Sequence, residues 1–169
     1  PLLTASQEIQ LGRQIKKYVE LKDLPEDQLD DIQKRQIKAG FRAKEKLIKS
    51  NIKLVASVAR KMLLKANPKT LTFSDLLQDG SIGLSRAAEL FDPERGYKFS
   101  TYSYWWIRQS ISRAIYGTDR MIRVPDSMLN RFIKAQRILK DFQFEHGHSP
   151  STEQITELTG LQPGDFQLM

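Results

Sequence analysis

The sequence predicts an all-α protein. Apolar residues recur three and four positions apart through most of the chain. Helix-start and helix-stop residues bracket those stretches, and no run of alternating apolar residues stands between turns. With 169 residues, 40% of them apolar, there is material for one compact domain or one domain with a small satellite.

Taken in order, Thr4 and Gln7 fit a capping box, and Ile9, Leu11, Ile15 and Val19 support a helix to about Lys22, which Pro25 breaks. A second, polar helix is expected through "EDQLDDIQKRQIKAG", with a sparse stripe of Leu29, Ile32 and Ile37, ending near Gly40. A separate strong helix then runs from Phe41 to about Lys65 on Leu47, Ile48, Ile52, Val55, Val58, Ala59 and Met62, up to a turn at Pro68. Ser74 is the expected N-cap of the next helix, with Leu77, Ile82, Leu84 and Ala87 or Ala88 inward. "DPERGYK" is a turn, and a helix follows from about Ser100 to Tyr116. "GTDRMIRVP" is a basic connector stopped by Pro125. A long amphipathic helix over 126–147 uses Met128, Leu129, Phe132, Ile133, Ala135, Ile138, Leu139 and Phe142. Ser151 and Gln154 open a short final helix that precedes a turn at Pro163 and Gly164.

Composition removes several function classes. Without cysteine there is no disulfide or thiolate metal site, and the longest apolar runs fall far short of the roughly 20 residues that span a bilayer. The only histidines, His146 and His148, flank Gly147 in what reads as a turn. No metal site and no nucleophile with its base can be assembled, so no enzyme, cofactor or bound metal is expected. A formal charge of +7 and a pI near 9.6 favour polyanionic partners. The chain begins without Met and stops at "GDFQLM", in what reads as mid-helix, so a piece of a longer protein is expected.

Both tryptophans fall in "FSTYSYWWIRQSISRAI", residues 99–115. At about 100° per residue, Ile107, Ile111, Ala114 and Ile115 share one side with Tyr104, while Tyr102, Trp105, Trp106, Gln109, Ser112, Arg113 and Tyr116 lie on the other. Periodicity alone leaves the tryptophans equally open to burial under another helix or to exposure. Their company tips the reading: Arg95 through Thr118 holds four basic residues and no acidic one, whereas the rest of the chain is read as mixing signs freely. An exposed ring stacks on any base for about 1–3 kcal/mol, and guanidinium groups neutralise phosphates. Gln109 can address the N6 and N7 edge of adenine in a duplex, although an exposed helical Gln is more often merely solvated. Together these features point to a junction between duplex and single strand.

"GYKFSTYSYWWIRQSISRAI" closely resembles the promoter-reading and promoter-melting segment of bacterial RNA polymerase sigma factors of the sigma-70 family. "SNIKLVASVARK", "FSDLLQDGSIGLSRAAELFDPERGYKF", "RMIRVP" and "HSPSTEQITELTG" resemble neighbouring family segments in the right order. The resemblance covers about Phe41 to Gly160, and "PLLTASQEIQLGRQI" is similar to the helix before them. It implies a compact helical bundle of the sigma domain 2 type over 1–122, and the start of a smaller helical sigma domain 3 over 123–169. The implied function is transcription initiation: binding core RNA polymerase, then recognising and melting the promoter minus-ten element by capturing flipped non-template bases.

Residue by residue, the resemblance implies that Phe91, Arg95, Thr101, Tyr102 and Trp105 surround a flipped adenine and that Trp105 and Trp106 stack at the upstream fork. Asn51 and Leu54 match positions holding a second flipped base downstream. Gln109 and Ser112 match readers of the upstream edge, and Lys98, Arg108 and Arg113 would contact phosphates or brace the site. Asp75, Gln78, Asp79 and Ser81 would dock on the clamp coiled coil of the polymerase β′ subunit. By spacing alone that patch is also an ordinary solvated face. Asp79 stands where the family commonly has Glu.

The family implies a bacterial cytoplasmic setting, with the plastid stroma also open, no membrane, and an anti-sigma factor as a further candidate partner. Ser127 and Asn130 stand where family members often carry the His and Glu that read an extended minus-ten element, which puts that reading in question. Seven residues over 65–71 replace a usually shorter turn, and "YGTDRM" departs from the usual helix end; both are hints of an alternative, primary-like member. The segment that reads the minus-thirty-five element is absent from this chain. The rival reading is a stand-alone DNA-binding repressor or architectural protein, which would share the basic face but have no use for an acidic docking patch.

Overall fold

The computed structural model describes residues 3–25, 29–68, 70–118 and 125–160. Among these, the regular elements are six α-helices and one 3-10 turn: α1 Ala5–Leu21, α2 Asp31–Ala66, α3 Phe73–Leu90, the turn Pro93–Arg95, α4 Phe99–Thr118, α5 Asp126–His146 and α6 Thr152–Thr159. None of the described helices is long and apolar enough to cross a membrane. Residues 120–124 of the expected segment "RMIRVP" and the turn at Pro163 and Gly164 lie outside the described residues.

Local chemistry starts most of these helices. Thr4 with Gln7, Asp30 with Gln33, Thr72 with Asp75 and Ser151 with Gln154 each form a reciprocal capping box, so that two otherwise orphaned backbone donors find partners at each start. The third box corrects the sequence reading. Thr72, not Ser74, caps α3, because Asp75 at its N3 position accepts from both the Thr72 N–H and its hydroxyl at 2.7 Å.

The expected break at Gly40 is absent: α2 runs unbroken for 36 residues. Gly40 serves packing rather than termination, since a Cβ there would collide with the Tyr18 Cβ and fall 2.7 Å from the Gln14 carbonyl oxygen of α1. Only glycine lets the two helix backbones approach so closely. The helix ends instead at Asn67, in the left-handed region at φ +43°, a conformation asparagine tolerates, with its N–H donating to the Leu63 carbonyl.

The contacts divide the chain into two compact units, Pro1–Asp119 and Arg120–Met169. In the first, α1 to α4 enclose a core in which Ile15, Leu47, Val55, Leu76, Leu84, Phe99, Ile107 and Ile111 are fully buried, each contributing about 1.5–3 kcal/mol. Glycines again set the closest approach: a Cβ on Gly83 would meet the Trp106 carbonyl oxygen at 2.6 Å, so α3 and α4 approach backbone to backbone there. The Ser110 hydroxyl ties the same pair by donating to the Asp79 carbonyl at 2.7 Å. Ile82, expected inward, is 62% exposed, because α3 turns Gly80, Gly83, Leu84, Ala87 and Ala88 to the core instead. In the second unit α5 contacts α6, and Phe132 and Ala135 are buried with Met128 packed against them, while Ile133, expected inward, faces out.

Candidate nucleic-acid interface

At the C-terminal end of α3 the chain leaves the helix at Phe91, makes the Pro93–Arg95 turn and enters α4 at Phe99. Gly96, at φ +75°, supplies the left-handed residue that closes the turn. Three contacts from α1 fix this corner. Arg13 donates to Glu94 at 2.8 and 3.4 Å, the Glu8 carboxylate accepts from the Phe99 N–H at 3.1 Å, and Gly12 makes room for the Pro93 ring. Glu8 thus answers one of the orphaned donors at the α4 N-terminus, where negative charge is also favoured. The hydrogen bond from Arg13 holds the Glu94 carboxyl below the usual glutamate range, and the same contact raises the arginine.

The corner leaves a cleft of about 390 Å³ lined by Leu90, Phe91, Asp92, Arg95, Tyr97, Thr101, Tyr102 and Trp105. Its floor is aromatic and anchored. Phe91 is buried and meets Phe99 edge-on at 5.1 Å and Tyr102 at 5.9 Å, and the Tyr102 hydroxyl donates to the Leu90 carbonyl at 3.4 Å. Tyr97 and Trp105 are 70% and 64% exposed. The Arg108 guanidinium lies 5.8 Å from the Trp105 ring, and Tyr104 meets that ring edge-on at 5.7 Å. Arg95 lies 3.5 Å from Asp92 across an exposed pair, a contact too solvated to immobilise it. A fixed apolar floor with exposed rings and mobile cations around it can accept a flat heteroaromatic group.

Five residues that the sequence singled out, Phe91, Arg95, Thr101, Tyr102 and Trp105, come together in this one cleft. Lys98, Arg108, Gln109 and Arg113 are exposed elsewhere on or beside α4, with Ser112 half-buried. The two-sided division of α4 needs correction. Ser103, Ile107, Ile111 and Ile115 make the buried stripe; Tyr104, expected on it, is exposed, whereas Tyr102 and Trp106, expected opposite, pack half-buried against the core. A helix wedged on α3 and α2 buries flanks as well as one stripe, so only Trp105 of the tandem pair stands clear. Asn51 and Leu54 are half-buried on α2 and do not line the cleft; the Asn51 amide donates to the Leu47 carbonyl at 2.9 Å.

On α3, Gln78 is exposed and Asp79 half-buried, with exposed Ile82 beside them. Asp75 is held in the capping box, where its hydrogen bonds from Thr72 lower its pKa, and the Ser81 hydroxyl donates to the Leu77 carbonyl. Sequence reasoning missed Leu90, Asp92 and Tyr97 in the cleft. Tyr97, an aromatic directly after the turn glycine, carried a readable signal. The reading that the chain outside 95–118 mixes signs freely needs correction: α2 holds eleven Lys and Arg against two acids, a net +9 in a chain of +7.

The fold and cleft define a helical module that presents an aromatic pocket of base size at a helix corner. Residues 47–121, which contain the cleft, match the Sigma-70 region 2 family. RNA polymerase sigma factor SigA4 of Synechococcus elongatus is 38% identical over 169 residues, covering all of this chain and 53% of that relative. The probable RNA polymerase sigma-C factor of Synechocystis is 45% identical over 126 residues, 75% of this chain and 30% of the relative. The principal sigma factor HrdD of Streptomyces viridifaciens is 37% identical over 171 residues, 96% of this chain and 50% of the relative. The chain belongs to the sigma-70 family. It spans about half or less of the length of these three relatives.

Proposed function

We propose that this chain is the part of a cytoplasmic transcription initiation factor that binds core RNA polymerase and opens the promoter minus-ten element. The observation that carries the reading is the cleft itself: the five residues matching the family's base-capturing positions line one pocket, with Trp105 exposed at its edge. An unpaired base entering it stacks on anchored rings, and the stacking offsets the few kcal/mol needed to flip the base out of the duplex. Binding energy alone then opens a short AT-rich stretch. Gln109, Ser112 and Arg113, farther along α4, would address the duplex upstream, and Asn51 with Leu54 a second base downstream.

The titration that tests this compares a single strand carrying the minus-ten element with a scrambled strand, using the chain bound to core polymerase at fixed salt. Tighter binding of the minus-ten strand is expected; equal affinity sinks the reading. Docking is proposed to use the α3 face that carries Gln78 and Asp79 against the β′ clamp coiled coil, with exposed Ile82 supplying apolar area. Gln78→Ala with Asp79→Ala should weaken polymerase binding without loss of helix, measured by pull-down and circular dichroism. Undiminished binding removes this face from the interface.

A further inference from the structure

We infer that the outward face of α2 is a second nucleic-acid surface, a track for the phosphates of a single strand that takes no part in reading bases. Arg42, Lys46, Lys49, Lys53 and Arg60 are all exposed. At 3.6 residues per turn they fall within one sector of about 60°, opposite buried Leu47, Val55 and Val58. Among the described residues, the ion pair made by this row is Lys49 with Glu45, an exposed contact at 3.7 Å that contributes little. Apart from Glu45 the helix has a single acid, Asp31 in its first turn. The remainder of the chain outside α2 carries a net −2, the difference between +7 and +9, so α2 holds the positive excess of the whole chain.

The shape of the row selects the ligand. From Arg42 to Arg60 it extends about 27 Å, with the first four charges about one turn apart and Arg60 about two turns beyond Lys53. An unbroken helix is close to a straight rod, whereas each backbone of a duplex winds away from a straight line after a few phosphates. A stretched single strand can follow the rod, placing one phosphate near each cation. The single aromatic of α2, Phe41, lies outside the row and packs on Tyr18 at 6.3 Å, and the neighbouring Phe73 ring of α3 is half-buried, 6.0 Å from the Arg60 guanidinium, so α2 itself puts no ring into the row. The track is therefore indifferent to sequence, and its affinity comes from counterion release. It stands on α2 alone and does not depend on the cleft.

The test is fluorescence anisotropy of the chain with a scrambled single strand across a range of salt, comparing the wild type with a Lys46→Gln, Lys49→Gln, Lys53→Gln variant. Three lost phosphate contacts should make the slope of log K against log salt shallower by about 2, and binding at low salt should fall at least about tenfold. The loss should be the same for scrambled and minus-ten strands. Arginine at the same three positions should keep the wild-type slope. An unchanged slope in the glutamine variant overturns the track. So does an equal slope change with blunt duplex, or a loss seen with polyglutamate as probe and not with the oligonucleotide. If the triple variant loses helix by circular dichroism, Lys49→Gln alone is read, with an expected slope change of about 0.7. An unchanged slope with the minus-ten preference intact sinks the track and leaves the cleft reading standing; the reverse result sinks the cleft alone.

Discussion

The cleft at the α3–α4 corner and the outward face of α2, as we propose them, are two solutions to binding a polyanion, and they share almost no chemistry. The cleft has rings on a buried aromatic floor, fixed by Arg13–Glu94, Glu8–Phe99 and the Tyr102–Leu90 hydrogen bond, with few charges around it. The α2 face has five exposed cations in a row and no ring of its own, the half-buried Phe73 of α3 meeting only Arg60 at its end. Selecting a base requires a surface that is already rigid, because the ordering cost must not be met at binding. Neutralising phosphates requires only charge at a suitable spacing, and long flexible side chains in water suffice. Packing should therefore govern the first region and composition the second.

The largest expected effect separates them through packing. Gly83→Ala places a methyl 2.6 Å from the Trp106 carbonyl oxygen and forces α4 away from α3, which should cost about 3 kcal/mol of stability. Strand preference should be lost while salt-dependent binding of a scrambled strand survives; thermal unfolding and the two titrations together check this. Trp105→Ala comes next. The side chain is 64% exposed, so stability should barely change, but binding of the minus-ten strand should fall by about 2 kcal/mol, roughly thirtyfold. A comparable loss of folding stability would instead mark Trp105 as a packing residue.

Ser110→Ala removes the hydrogen bond to the Asp79 carbonyl and should cost about 1 kcal/mol in denaturant unfolding, with a smaller effect on strand preference. The smallest effect concerns Glu89, which is 14% exposed and gathers Lys44 at 2.7 Å, Arg86 at 3.2 Å and Lys22 at 3.7 Å just before the cleft wall begins at Leu90. The hydrogen bond from Lys44 lowers its pKa, with the lysine charges and Arg86 adding to the shift against desolvation. A lowered carboxyl stabilises the fold fully above the ordinary glutamate range and loses that contribution as pH falls through the lowered value. Glu89→Gln should therefore flatten the acid side of the stability profile and leave the neutral salt dependence of strand binding unchanged, measured by melting temperature against pH.

How much was readable varies from element to element for physical reasons. The boxes at Thr4 and Ser151 and the turn at Pro93 and Gly96 were legible because each is decided within four or five residues. The box at Thr72 was misplaced by two positions because Ser74 is an equally competent capping residue, and only the carboxylate of Asp75 chooses between them. Gly40 was read as a stop since glycine is a poor helix former, yet burial against α1 outweighs a cost of about 1 kcal/mol. The charge of α2 is legible only when its residues are taken as one helix, because a stop at that glycine divides the eleven cations between two.

By itself the sequence determined the all-helical class, most helix starts, the resemblance to the sigma-70 family and the five residues that line the cleft. Those follow from periodicity, local capping and motif order, all of which are properties of neighbours along the chain. Tertiary structure alone decided that α2 is one rod and that Ile82 faces out. It also decided that Trp106 leans into the core while Trp105 stands clear, and that Glu8 and Arg13 of α1 brace a corner more than eighty residues away. Each of these depends on which helices touch and how closely, and that is set by glycines and hydrogen bonds whose partners lie on other helices.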